Sequence, residues 1–83
     1  MRIDKFLKVS RILKRRSVSK EACDADKVSV NGKAVKPSYR LKEGDVVTVK
    51  FGTGELTFKV LSLKEHVKKE EVSTLYEIIG ESV

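Results

Sequence analysis

The chain has 83 residues, 40% of them apolar and 36% charged, and 18 Lys/Arg against 12 Asp/Glu give a net charge of +6. A domain this small buries only about 60% of its unfolded surface, which leaves a thin core, excludes a deep water-free catalytic chamber and favours a binding surface. A single cysteine, Cys23, rules out an internal disulfide and suits a reducing compartment, the cytoplasm; no apolar run approaches the ~20 residues of a membrane helix, and Met1-Arg2-Ile3-Asp4-Lys5 lacks the apolar stretch of a signal peptide.

The charge is unevenly placed. Residues 1–45 hold 13 Lys/Arg and 6 Asp/Glu, whereas residues 46–83 hold 5 and 6. The whole positive excess therefore sits in the front half, and a polyanion, nucleic acid first, is the partner this asymmetry suggests.

Ile3, Phe6, Leu7 and Ser10 recur at helical spacing, with Asp4, Lys5, Lys8 and Arg11 on the other faces. This predicts an amphipathic first helix of about three turns, with Asp4 in the first turn where the helix dipole favours a negative charge. After Lys14-Arg15-Arg16, Ser17 or Ser19 is placed to cap a second helix running to Ala25. Its small residues, Ala22, Cys23 and Ala25, allow close approach to the first helix.

Val28-Ser29-Val30 alternates as a strand with one buried face. Asn31-Gly32 is the strongest short hairpin signal in the chain, since both residues tolerate positive φ. Ala34 and Val35 begin the return strand and Pro37 ends it. Gly44-Asp45 marks a turn, Val46 to Phe51 a strand, Gly52-Thr53-Gly54 a loop, and Leu56 to Leu63 the partner strand. Val72, Leu75, Tyr76 and Ile79 repeat at helical spacing and predict a short C-terminal helix packed on the sheet. Phe6, Phe51 and Phe58 are expected in the core.

The residues that bear chemistry are cationic. RNA phosphates call for permanently charged donors, and Arg adds a planar, two-pronged contact. Arg2 precedes the first helix and Arg15 and Arg16 the second, where helix N-termini would add backbone N–H donors. The expected surface comprises Arg2, Lys5, Lys14, Arg15, Arg16, Ser17 and Lys20, with Lys27, Lys33 and Lys36 at its rim. Asp4 has three readings: a carboxylate that orients Arg2 or Arg16, an acceptor for an RNA amino group or 2′-OH, or a residue favoured by the helix dipole alone. The orienting role is preferred. Tyr39 reads as a partly buried loop anchor, with stacking on a base as the alternative.

Catalysis and metals find little support. His66 and Cys23 cannot supply the four ligands of a structural zinc site, and Cys23, among alanines on an apolar face, reads as a buried thiol. No phosphate loop or nucleophile elbow is present. No cofactor is expected, and the protein reads as not an enzyme. Without a stacking platform, recognition is expected to rest on RNA shape and phosphates.

Five pieces in order then carry a resemblance. Arg2-Ile3-Asp4-Lys5-Phe6-Leu7, Lys14-Arg15-Arg16-Ser17, Val28-Ser29-Val30-Asn31-Gly32-Lys33, Lys36-Pro37 and Leu41-Lys42-Glu43-Gly44-Asp45-Val46 resemble the RNA-binding domain first seen in small-subunit ribosomal protein four, the S-four domain. The match covers about residues 1–51. The full length is similar to the small, RqcP-like (YabO-like) branch of the heat-shock-protein-fifteen group. The resemblance implies an α+β fold, the alpha-L motif: two N-terminal helices on a small, mainly antiparallel sheet. Residues 1–65 would form the RNA-binding domain and residues 66–83 a helical extension packed on it. It further implies a cytoplasmic monomer that binds large-subunit ribosomal RNA and the P-site tRNA, away from membranes. There it would steady peptidyl-tRNA while an RqcH-like factor adds alanine to a stalled nascent chain. The other readings are a general ribosome-binding heat-shock or recycling factor, a detached targeting domain of an RNA-modifying enzyme, and a protein–protein adaptor acting through Glu70 to Val83.

Overall fold

The structure is a computed structural model that describes residues 1–13, 16–52 and 54–82, with the side chains of Arg16, Ser17 and Ser82 left aside. In chain order it contains α1 (Ile3–Val9), α2 (Arg16–Asp24), β1 (Val28–Val30), β2 (Lys33–Ala34), β3 (Val46–Phe51), β4 (Gly54–Val60), a 3-10 helix (Lys69–Thr74) and β5 (Tyr76–Ser82). The strands form one antiparallel sheet in the order β2-β1-β3-β4-β5. Two N-terminal helices on a small antiparallel sheet are the α+β fold expected from the sequence.

α1 is two turns long rather than three. The Ser10 hydroxyl donates to the Leu7 carbonyl at 3.3 Å, and Arg11 then adopts φ 62°, ending the helix in the left-handed region. α2 closes with a Schellman arrangement. Lys27 N–H donates to Ala22 O at 2.9 Å and Asp26 N–H to Cys23 O at 3.1 Å, with Asp26 at φ 57°. The expected serine caps do not occur, because α2 has already begun at Arg16. Ser19 is instead fully buried within the helix, one turn before Cys23, on the small-residue face that lets the helices pack.

The β1–β2 hairpin has a two-residue loop, Val30 pairing with Lys33, and Asn31 and Gly32 have φ 51° and 87°, as a type I′ turn requires. Asn31 also ties this turn to the next. Its Oδ1 accepts from Val46 N–H at 3.0 Å and its Nδ2 donates to Asp45 Oδ1 at 3.2 Å. Asp45 Oδ2 accepts from Lys42 N–H at 2.9 Å, so Asp45 joins two turns instead of merely marking one.

Ile3, Phe6 and Leu7 of α1, Cys23 of α2, alternate strand residues Val28, Val30, Val47, Val49, Phe58 and Val60, and Leu41 and Leu75 make one core. Phe58 is its hub, stacked on Phe6 at 6.1 Å between ring centroids and edge-on to Tyr76 at 5.5 Å. Phe51 departs from expectation. It lies at the end of β3, in an open cleft that α2 lines with Val18, Glu21 and Ala22, and is 39% exposed.

The C-terminal segment corrects the predicted helix. Val72 and Leu75 are buried, as the spacing implied, but they are carried by the 3-10 helix and the bend after it. From Tyr76 the chain becomes β5, with Tyr76 opposite Val60 and Ile78 opposite Phe58. The physical reason is that β4 would otherwise expose a full row of unpaired backbone groups, and Tyr-Glu-Ile-Ile favours the pleated conformation that satisfies them. The extension is therefore a strand of the same sheet, not a helix packed on it.

Candidate nucleic-acid interface

The geometry centres on the start of α1. Arg2 occupies its N-cap position with extended backbone and pairs across an isolated antiparallel bridge with Arg40. Three hydrogen bonds stitch the two segments: Ile3 N–H to Tyr39 O at 2.8 Å, Asp4 N–H to Pro37 O at 3.3 Å, and Leu41 N–H to Met1 O at 2.9 Å. A β-turn, closed by Tyr39 N–H to Lys36 O at 3.0 Å with Pro37 at its second position, makes the loop that provides those carbonyls.

This seam overturns one expectation. The first amides of α1 are not open to a phosphate: Ile3 and Asp4 donate to the loop, Lys5 N–H donates to Asp4 Oδ1 at 2.8 Å, and Phe6 N–H donates to Arg2 O at 3.0 Å. The positive character of this end comes from side chains.

Asp4 takes the orienting position. Its side chain is 3% exposed, and its Oδ2 accepts from Arg2 Nη2 at 3.3 Å, while the Arg2 side chain remains 43% exposed. The buried carboxylate thus holds a guanidinium whose outer edge faces solvent, which also removes Asp4 as an open acceptor for RNA. Lys5 is less free than expected. Its Nζ contacts Glu65 Oε1 at 3.2 Å in an exposed pair, and the hydrogen bond from Lys5 holds the Glu65 carboxyl below its usual range.

The remaining cations divide by position. Lys20 is exposed on α2, Lys27 just after it, Lys33 on β2 and Lys36 on the turn beside the seam. The seam thus brings Arg2, Lys36 and Arg40 to one end of the molecule. Lys27 instead lines a separate cleft of about 470 Å³ with Lys50 and Phe51. Lys14 and Arg15 lie outside the described residues. Arg16 and Ser17 form the first turn of α2, which packs on α1.

Three cations were not anticipated. Arg40 had no motif to mark it; its place follows from pairing with Arg2. Lys8 and Arg11 line a cleft of about 890 Å³ with Lys68, His66, Glu65 and Glu71. Arg11 stands in the left-handed conformation where glycine is usual. Its helical spacing had suggested only a solvated face.

Cys23 is buried, as read from its apolar neighbours, and burial, followed by the negative charges of Asp4 and Asp24, pushes its thiol from 9.0 up to about 11. Such a thiol is a poor nucleophile at neutral pH. Among the described residues no cluster of three or more His, Cys, Asp or Glu is placed to hold a metal, and no helix is long and apolar enough to cross a membrane.

Residues 1–47, which include both helices, the hairpin and the seam, match the S4 domain family. The chain belongs to the S4 domain family. It is 50% identical over 82 residues to a Streptococcus pneumoniae protein named RQC P-site tRNA stabilizing factor, covering 99% of this chain and 93% of that one. A protein of the same name from Halalkalibacterium halodurans is 49% identical over 78 residues, covering 94% and 89%. Among solved structures, heat shock protein 15 of Vibrio cholerae, described as trimeric, is similar with a TM-score of 0.88 at 29% identity, over 95% of this chain and 81% of that one. The S-four resemblance read from the motifs of residues 1–51 is borne out. In this S4 domain the seam lies wholly inside the matched segment, and β4, the 3-10 helix and β5 lie beyond it.

Proposed function

We propose that this S4 domain is a non-catalytic, cytoplasmic RNA-binding factor that engages the large ribosomal subunit and P-site peptidyl-tRNA in ribosome-associated quality control. It holds the tRNA in place while an RqcH-like factor extends the stalled chain with alanine, and it acts as a single copy. The observation that carries this reading is the near full-length similarity to factors named for stabilising P-site tRNA. The exposed Arg2 guanidinium held by buried Asp4 supports it, as does the concentration of positive charge in residues 1–45. Arg2, Arg16 and Lys20, with Lys14, Arg15, Ser17 and Lys5, contact phosphates on one RNA element, while Lys27, Lys33 and Lys36 serve the rim. Two RNA elements bridged at once have their relative geometry fixed, and no bond needs to be made or broken.

Co-sedimentation with purified 50S subunits at physiological salt, with and without peptidyl-tRNA, tests this. Retention that rises with peptidyl-tRNA and falls in Arg2→Ala and Arg16→Ala is expected. Equal retention on both subunit preparations supports instead a general ribosome-binding factor, the reading favoured by the likeness to heat shock protein 15. No retention at that salt refutes both. Weak binding to any RNA at low salt decides nothing, because a charge of +6 alone produces it.

A further inference from the structure

We propose that the groove between the β1–β2 hairpin and the Lys36–Tyr39 turn binds one unpaired RNA base, stacked on Tyr39, with its flanking phosphates on Lys33 and Lys36. The proposal rests on the RNA-binding reading and adds a site to it.

The groove is an open one of about 670 Å³, within the ~300–1,000 Å³ of small-molecule sites. Its floor is Val30, Val35 and Tyr39, and its rim carries Lys33, Ala34, Lys36 and Ser38. Val30 is 3% exposed and Tyr39 is half-buried against the core, while both lysines are exposed. An apolar, aromatic floor with cations on the rim matches a nucleotide, whose base is flat and weakly polar and whose phosphates are anionic. Lys33 and Lys36 are three residues apart, so their backbones are separated by no more than about 11 Å, the scale of one nucleotide with the phosphates on either side.

Tyr39 is fixed for this task. Its N–H is bound to Lys36 O and its carbonyl receives Ile3 N–H, so its backbone is held at the same seam as Arg2. A strand whose phosphates pass Arg2 is thereby brought to the groove. Asn31, on the groove wall, has its amide committed to Asp45 and Val46 and does not read base edges. Stacking without such readout accepts any base, so single-stranded RNA of mixed sequence is the expected ligand and duplex is not.

The chain has two tyrosines and no tryptophan, so Tyr76→Phe leaves Tyr39 as the only tyrosine emitter. In that background, titration with a seven-nucleotide single strand of mixed sequence is expected to quench Tyr39 emission saturably, and the same sequence as a blunt duplex is not. Tyr39→Phe retains affinity. Tyr39→Leu, which keeps an apolar anchor on the core and is checked for folding by circular dichroism, loses affinity about 5- to 150-fold, the usual effect of removing one stacked aromatic. Lys33→Ala and Lys36→Ala each reduce the slope of log affinity against log salt by about 0.7. Full affinity in folded Tyr39→Leu, binding without quenching, or equal quenching by poly-glutamate would each overturn the proposal, the last by showing that charge alone fills the groove. Absence of 50S retention in wild type, with Tyr39 quenching by the single strand intact, would support the groove independently of the ribosomal reading. Failure of wild type on 50S refutes only the latter.

Discussion

Asp4→Asn separates an orienting carboxylate from a simple sum of charge. The substitution keeps size, and its amide oxygen still accepts from Lys5 N–H, but it removes the charge that holds Arg2 Nη2 at 3.3 Å. The Arg2 side chain is 43% exposed, so solvent screens the pair, and an exposed ion pair is worth only about 0.2–1 kcal/mol. A negative charge in the first turn adds about 0.3–1 kcal/mol. Together they give a stability loss of about 0.5–2 kcal/mol, which for a domain of this size lowers Tm by about 2–16 °C.

The two accounts of RNA binding then differ in sign. If charge alone governs affinity, the gain of one positive unit over the wild-type +6 tightens binding. If Asp4 positions Arg2, affinity falls despite the more favourable net charge. A loss of about 3- to 10-fold is expected, the size of one charge-assisted hydrogen bond made less well. Thermal melts and 50S co-sedimentation at 0.15 M salt, roughly the physiological ionic strength, provide both readouts. Equal or tighter binding with an unchanged Tm would refute the orienting role.

Other consequences are open to measurement. The Cys23 thiol, raised from 9.0 to about 11, ionises less readily folded than unfolded. Its contribution to stability is therefore whole below pH 9 and is lost as pH rises toward 11. The stability difference between wild type and Cys23→Ala is expected to shrink over that window in denaturant titrations, and thiol labelling at pH 8 is expected to wait for unfolding. Asp26, at φ 57° in the α2 terminus, occupies a glycine position; Asp26→Gly is expected to stabilise by about 0.5–1 kcal/mol, and a lower Tm would contradict the Schellman assignment. Asn31→Gly keeps the turn but deletes both side-chain links to the Asp45 turn. A loss of about 1 kcal/mol is expected from urea unfolding, and no loss would mean that the backbone bond from residue 31 N–H to Val46 O, at 2.8 Å, joins the turns without the side chain.

The readable parts of the sequence are those where local chemistry allows one answer. Asn31-Gly32 predicts its hairpin because few other pairs tolerate two positive φ angles. Val46 to Phe51 alternates with the sheet period. The C-terminus was ambiguous because Val72, Leu75, Tyr76 and Ile79 fit a helical stripe, and only the open edge of β4 converts Tyr76–Ser82 into a strand. Within the interface, Arg2 and Asp4 were legible because the pair is two residues apart. The Lys5–Glu65 pair, sixty residues apart in sequence, and the Arg2–Arg40 bridge depend on tertiary packing and left no local signal. The same holds for the amides of Ile3 and Asp4, which the sequence alone suggested were available to phosphate.

The Lys36–Arg40 loop is therefore expected to influence binding through the backbone. Because Tyr39 and Pro37 carbonyls occupy the first amides of α1, Arg2 is positioned by the loop as well as by Asp4. Pro37 is buried, and its fixed φ presets the turn. Pro37→Gly changes no charge, yet it restores freedom to the unfolded chain at a cost of about 0.5–1 kcal/mol and loosens the turn that presents both carbonyls. Hydrogen exchange at the Ile3 and Asp4 amides is expected to quicken, and 50S retention to fall, while the Schellman-bonded amides of Asp26 and Lys27 exchange as before relative to the global stability. If charge at Arg2 suffices without orientation, exchange will quicken and retention will hold. That outcome would move the source of specificity from the seam to α2.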